Sequence, residues 1–379
     1  MSDSRSSSWF HRLLLPGFAF KAVVIGGGYA TGRELAEFFL PSGPWGGLAG
    51  MFLAMVIWSA VCIVTFLLAR SAGLLDYRAF FKHLLGRFAI LFELSYYPYV
   101  VLILSVFGAA AGSLGAALFG WPNLYGTLCL MAGVSLFAAF GSTSVERLFK
   151  WVSIFLYVVY GVFLVLGVTA FHGAIASHFS APAASDGWAI GGVTYAAYNI
   201  IGAVVILPVV RHMRSDRDAI AAGLLAGPLA MLPAIIFFVC MCAFYPQVLH
   251  ETLPSDFMLR QMHFPVFHLA FQLMIFAALL ESATGFVHAV NERIATAYRR
   301  TRTGDLPRIA RLLISGALLT VSIFLAARFG LVTLIARGYR ILAYAMLALY
   351  VVPLLTVGIW QLRGRRAVSR ANQQLPSSG

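Results

Sequence analysis

Val23 to Leu35 reads VVIGGGYATGREL. The stretch sits inside an apolar run long enough to cross a bilayer, yet three consecutive glycines occupy its centre, with Arg33 and Glu34 close behind. Gly26, Gly27 and Gly28 each cost about 1 kcal/mol relative to Ala inside a helix, so the run favours unwinding there. The following residues, Thr31-Gly32-Arg33-Glu34, fit a capping box in which the Thr31 hydroxyl and the Glu34 carboxylate each accept from a free backbone N–H. The spacing predicts a new helix starting at Thr31, in mid-membrane. Backbone that is not helical at this depth is tolerated only where it is buried in protein or lines a watery cavity. The freed N–H groups are then expected to receive an anionic group and the freed carbonyls a cation. Close helix packing through small residues is the alternative reading of the glycines.

The rest of the chain supports a membrane setting. Of 379 residues, 60% are hydrophobic and 11% charged, and the mean hydropathy is +0.86, far outside the range of soluble domains of this size. A spanning helix needs about 20 apolar residues. Ten such spans are legible, at about 17 to 40, 46 to 69, 88 to 116, 123 to 141, 151 to 172, 188 to 210, 219 to 244, 264 to 290, 309 to 327 and 338 to 361. With the N-terminus inside, 22 of the 27 Lys and Arg fall on the cytoplasmic side. That asymmetry predicts two cytoplasmic tails, 1–13 and 363–379, and explains the +13 charge without nucleic acid. No secretory signal is expected at the N-terminus.

The sixth span, GWAIGGVTYAAYNIIGAVVILP, has Asn199 at its midpoint, flanked by Tyr195, Tyr198 and Gly202. A polar residue at that depth needs partners, and a second break is expected within Tyr195 to Gly202. Each anomalous span opens a set of five. Five is odd, so the second set must enter the membrane inverted. A single transmembrane domain of two inverted repeats, about 14–175 and 186–362, each led by a discontinuous helix, is a secondary-transporter layout with its site at the midplane.

The eighth span carries Glu281, Thr284, Gly285 and His288 on one stripe. Burying a carboxylate is expensive, which marks Glu281 as a functional candidate. Arg33 and Glu37, four residues apart, are positioned to pair. Glu93 is expected to pair near the cytoplasmic end of the third span, while Tyr99, deeper in it, is placed to cap a solute. The four cysteines lie in apolar surroundings and suggest neither disulfides nor zinc. There is no H-E-x-x-H, Walker loop or G-x-S-x-G, so neither an enzyme nor a resident cofactor or metal is expected.

GGGYATGRELAEFF in the first span, YAAYN in the sixth and AVNERI (Ala289 to Ile294) resemble the YkvI family of uncharacterised bacterial membrane proteins. That family is similar in turn to the five-plus-five inverted-repeat, LeuT-like transporters of the amino acid-polyamine-organocation superfamily. The resemblance implies an all-α, multi-pass protein of the bacterial inner membrane that moves a small amino-acid-like or related organic solute. The solute would be held around Gly26, Gly27, Gly28, Tyr29, Ala30, Thr31, Tyr99, Tyr195, Tyr198, Asn199 and Gly202. Arg33 and Glu37 would form a gate, since relatives use an Arg near this place against an acid on the tenth helix. The tenth span offers Arg337 and Arg340 instead. Relatives coupled to sodium carry an adjacent Ser/Thr pair on the eighth helix. Ser282 and Thr284 are not adjacent, which favours a proton over sodium and leaves Glu34 and Glu281 as carriers. A sensor that binds without transporting, like the spore-germination receptors of the same superfamily, is the alternative. The solute's identity, the direction of transport and the oligomeric state are not legible.

Overall fold

The computed structural model describes residues 8–25, 27–140, 142–181, 185–301 and 306–364. Among these residues the structure is helical throughout, without a β-strand. Ten helices cross the membrane in two inverted sets of five, and the first and sixth are interrupted. Helix one runs as Leu15–Val24, Gly27–Ala30 and Arg33–Phe38; helix two is Gly43–Ala72, helix three Ala89–Phe119, helix four Asn123–Phe140 and helix five Ser142–Ser180. Helix six is split into Trp188–Asn199 and Gly202–Val205; helix seven is Asp216–Cys242 and helix eight Pro265–Thr301. The last apolar run, Arg308 to Gly364, is continuous by length. Gly330, at φ 70° and ψ 169°, divides it into helices nine and ten. Arg337 and Arg340 lie within helix ten. Two short helices matter for the site: a connector, Tyr77–Leu85, between helices two and three, and a lid, Pro254–Gln261, between seven and eight.

Large apolar side chains such as Phe52, Val266, Phe324 and Trp360 lie exposed around the molecule, as expected of helices whose outer faces meet hydrocarbon. Lipid removes the hydrophobic reason for helices to associate, so small residues and interhelical hydrogen bonds carry the packing. Helices one, two, six and seven form one body. Helix two crosses helix seven at Gly227, where a Cβ would lie 2.3 Å from the Met55 carbonyl oxygen. Ser59 Oγ donates to Leu224 O at 3.0 Å beside that crossing, and Trp58 Nε1 to Ala196 O at 3.0 Å on helix six.

Helices three, four, eight and nine form a second body with helix five against it. Thr127 Oγ1 donates to Gly108 O at 2.8 Å, and Asn291 Nδ2 to Ser315 Oγ at 2.8 Å. The AVNERI motif, about two turns before the end of helix eight, is a three-way fastening: Asn291 to helix nine, Glu292 to Arg311 at 2.6 Å, and Arg293 to Glu93 on helix three at 3.5 Å.

Candidate functional site

The glycine run in helix one is flanked by two interruptions rather than dissolved into one. The first segment stops at Val24, and Ile25 leaves helical geometry at φ −85°, ψ 79°. Gly26 lies outside the described residues. One turn, Gly27–Ala30, follows before Thr31 and Gly32 break the helix again. Gly32 has φ 77°, a left-handed value that any side chain resists.

The expected capping box does not form. Thr31 Oγ1 donates to Gly28 O at 2.7 Å and accepts from the Arg33 N–H at 3.2 Å. The left-handed Gly32 brings Arg33, not Glu34, to the Thr31 hydroxyl. Released from its own helix, the Glu34 carboxylate accepts from Tyr198 on helix six at 2.5 Å. An anion at this break would meet a carboxylate. The segment that should have received it, Arg33–Phe38, is only six residues long.

Helix six breaks where expected, at Ile200 and Ile201, and Gly202 lets it pass close to Phe20 and Val23 of helix one. On one side of the breaks the structure is shut. Tyr195 and Tyr198 are fully buried, and the Tyr198 ring lies against that of Tyr339 of helix ten, tilted by 34° at 4.4 Å between ring centres. Tyr29 is buried and its hydroxyl accepts from that of Tyr160 at 3.2 Å, and Ala30 is buried beside it. Arg33 closes this side. Its Nη1 donates to Leu249 O at 2.8 Å and to Glu251 O at 2.9 Å, and its Nη2 pairs with Glu37 at 2.7 Å. Arg33 therefore bonds carbonyls of the segment before the lid, and not an acid on helix ten.

The lid is fastened twice. Its Ser255 N–H donates to the Thr31 carbonyl at 3.0 Å, tying it to the break in helix one. Its Asp256, buried, accepts from His268 Nε2 of helix eight at 2.7 Å and also from Gln272 and Arg260.

The other side is open. A cavity of about 800 Å³ runs from Ile25, Asn199 and Ile201 at the breaks to the connector helix and the end of helix eight. Tyr99, Glu281, Ser282 and Phe286 line it midway. Glu281 is half-buried in this vestibule, so the expectation of a carboxylate with little water around it is corrected. Thr284, one turn away, is fully buried and its hydroxyl has no hydrogen-bond partner among the described residues. Asn199 Nδ2 donates to Tyr195 O at 3.2 Å. At the mouth, Glu93 pairs with Arg78 at 3.4 Å and Arg293 at 3.5 Å, and the Arg293 guanidinium lies 3.2 Å from the centre of the Tyr96 ring.

The structure thus brings Tyr99, Asn199, Glu281 and Ser282 to the vestibule, and puts Tyr29, Tyr195, Tyr198 and Thr284 behind its walls. Gly27 contributes backbone to the turn between the breaks. Tyr339, Phe286, Asp256, His268 and Gln272 were missed by reading the sequence. A signal for the last three existed: an acid, an imidazole and an amide bracketing the start of an apolar run.

No family model matches the sequence. The uncharacterised membrane protein YkvI of Bacillus subtilis (strain 168) is 23% identical over 337 residues, covering 87% of this chain and 92% of its own length. The manganese transporter of Eremococcus coleocola, solved in complex with an aromatic bis-isothiourea substituted compound, matches with a TM-score of 0.55 at 15% identity, over 94% of this chain and 80% of that one. A point mutant of the same transporter gives 0.52 at 13% identity, with the same coverage. The chain is similar to YkvI in sequence and shares the fold of a membrane transporter.

Proposed function

We propose that the chain is a secondary active transporter that moves a small amino-acid-like or related organic solute by alternating access. One observation carries this reading: two interrupted helices meet at the deep end of a vestibule open on one side only, while Arg33, Tyr198 and Tyr339 shut the other. Interrupted helices are costly in a membrane and repay their cost where a ligand meets free backbone. The charge asymmetry supports a bacterial inner-membrane protein with both termini cytoplasmic, so the open side is cytoplasmic and the conformation inward-facing. The solute site lies at the two breaks, with Tyr99 and Asn199 facing it from the vestibule.

Transport is ion-coupled in this reading, with a proton ahead of sodium. Glu281 in the vestibule and Glu34 at the break are the carriers. Ser282, Thr284 and the carbonyls near Gly28 would serve sodium instead. Counterflow of labelled solute in proteoliposomes tests the reading. Exchange supports it; binding without exchange replaces it with a sensor on the same fold.

A further inference from the structure

Helix six delivers a broken end to the vestibule. Asn199, Ile201, Val204, Val205 and Pro208 line the cavity in chain order from the deep end toward the mouth, so the carbonyls that finish the first segment point the same way. Among the described residues no backbone N–H donates to the carbonyl of Tyr198 or Asn199: Ile200 donates instead to Ala197 O at 3.4 Å, and Ala203 to Ile200 O at 3.0 Å. That segment, Trp188–Asn199, is 12 residues long, and the end of such a helix carries about half a negative charge. The Asn199 side chain adds to it. Its amide faces the Tyr195 carbonyl at 3.2 Å, and a carbonyl only accepts, so the nitrogen makes that bond and Oδ1 is left without a partner among the described residues.

Donors and bases are scarce at the same place. The Ile201 and Gly202 N–H groups, also without backbone acceptors among the described residues, point back along helix six, away from the mouth, and open a segment of only four residues. Helix one brings the end of its ten-residue segment, not a start, to the cavity through Ala22, Val23 and Ile25. Between the mouth and the break the charged lining residue is an acid, Glu281, while Arg78 and Arg293 stand at the mouth and share Glu93. Lys21 is not part of the lining and holds its ammonium 4.8 Å from the centre of the Tyr157 ring. Tyr99, 5% exposed, lines the cavity with a hydroxyl that has no hydrogen-bond partner among the described residues, and its ring centre lies 6.3 Å from that of Phe286.

We infer that the carbonyls of Tyr198 and Asn199, together with Asn199 Oδ1, form an acceptor-lined subsite for a protonated amine at the deep end of the vestibule, so that the solute is an organic amine without a carboxylate beside its nitrogen. The inference rests on the transporter reading and names its substrate class. An ammonium has three donors and no acceptor, the complement of these oxygens, and its charge is favoured at a helix C-terminus. A carboxylate at the same place would meet carbonyl oxygens and the negative end of the helix, with only the hydroxyls of Tyr99 and Ser282 to donate to it. The hydrocarbon remainder lies toward Ile25, Tyr99 and Phe286, whose ring faces also favour a cation.

Three probes built on one branched side chain test this on the purified full-length protein: 3-methylbutylamine, leucine and 4-methylpentanoate. Binding is read by thermal shift and by titration calorimetry. The amine is expected to bind most tightly and 4-methylpentanoate not to bind. Asn199→Leu keeps the shape and removes the acceptor, and should weaken amine binding about 10-fold or more, the effect of losing a hydrogen bond to a charged group. Asn199→Asp keeps an oxygen for the cavity in either protonation state, since a protonated acid can still donate to Tyr195 O, and should bind the amine at least as tightly as the unmutated protein.

Leucine or 4-methylpentanoate bound more tightly than the amine, an amine affinity unchanged in Asn199→Leu or lost in Asn199→Asp, or no binding of any of the three probes overturns the subsite. Should Asn199→Leu fail to fold, the ranking of the probes and the Asn199→Asp variant decide. Amine binding that depends on Asn199 without counterflow in proteoliposomes keeps the subsite and removes transport.

Discussion

The hydroxyl of Tyr198 donates to the carboxylate of Glu34 at 2.5 Å, the one side-chain bond that joins interrupted helix six to interrupted helix one among the described residues. It lies on the shut side of the break, where the two helices must separate if that side is to open. A hydrogen bond to a charged group contributes about 2 kcal/mol, and 1.4 kcal/mol is a factor of ten in population. Tyr198→Phe keeps the ring against Tyr339 and removes only this bond. It should raise the outward-open population roughly 30-fold. A cysteine placed at Phe38, in a Cys129→Ser background, should then react faster with an impermeant maleimide added from outside. Equal labelling rates would mean that the bond does not hold this side shut.

Arg33 bonds two carbonyls and one carboxylate at once, which a planar guanidinium can do and an ammonium cannot. Arg33→Lys should therefore behave nearly as badly as Arg33→Ala. Both should expose the segment around Leu249 and Glu251 to protease added to right-side-out vesicles. Asp256→Asn attacks the lid's other fastening, removing the charge that His268, Gln272 and Arg260 share. Breaking a buried charged cluster by one member costs about 3 kcal/mol, so this variant should release the lid from helix eight. Cleavage that stays at the unmutated rate in all three variants would show that the lid is held by packing alone.

The crossing of helices two and seven leaves no room at Gly227, where a Cβ would meet a backbone carbonyl at 2.3 Å and Ser59 Oγ at 2.4 Å. Neither helix can yield locally, so Gly227→Val must push them apart. Overpacking of this kind costs about 1–3 kcal/mol and should lower the melting temperature in detergent by several degrees. Gly161→Ala is the control, since nothing lies within 4 Å of its added methyl group. A loss of stability in the control equal to that at Gly227 would rule out the steric explanation.

Much of this architecture was legible because lipid makes the sequence explicit. Runs of about 20 apolar residues, the side on which Arg and Lys fall, and glycines at mid-span each carry one physical meaning in a bilayer. The pairing of Arg33 with Glu37 followed from helical spacing alone. What failed to show was the outcome of competition between partners. Thr31 and Glu34 stand at capping-box spacing, but the left-handed Gly32 hands the Thr31 hydroxyl to Arg33, and Tyr198, 164 residues away, takes Glu34. Gly330 ends helix nine inside the gap read between the ninth and tenth spans. The lid's Asp256 and its partners His268 and Gln272 were passed over because a single acid near a span end reads as solvated.

Glu281 lines the vestibule with Ser282 and Phe286, between its mouth and the break. A carboxyl group there can exchange protons with the cytoplasm while the inward-facing state lasts. It must lose that access when the vestibule closes. If its protonation and closure of the vestibule bias one two-state equilibrium, each must affect the other by the same factor. An amide cannot change charge but preserves the size and much of the hydrogen bonding of the acid. Glu281→Gln should therefore keep solute counterflow, which needs only alternation, and lose accumulation driven by a pH gradient. The measurement is uptake into proteoliposomes with an imposed pH difference, compared with exchange at equal pH. Accumulation by the unmutated protein that requires sodium and ignores the pH gradient would defeat the proposal. It would direct attention to the buried hydroxyl of Thr284, which has no hydrogen-bond partner among the described residues.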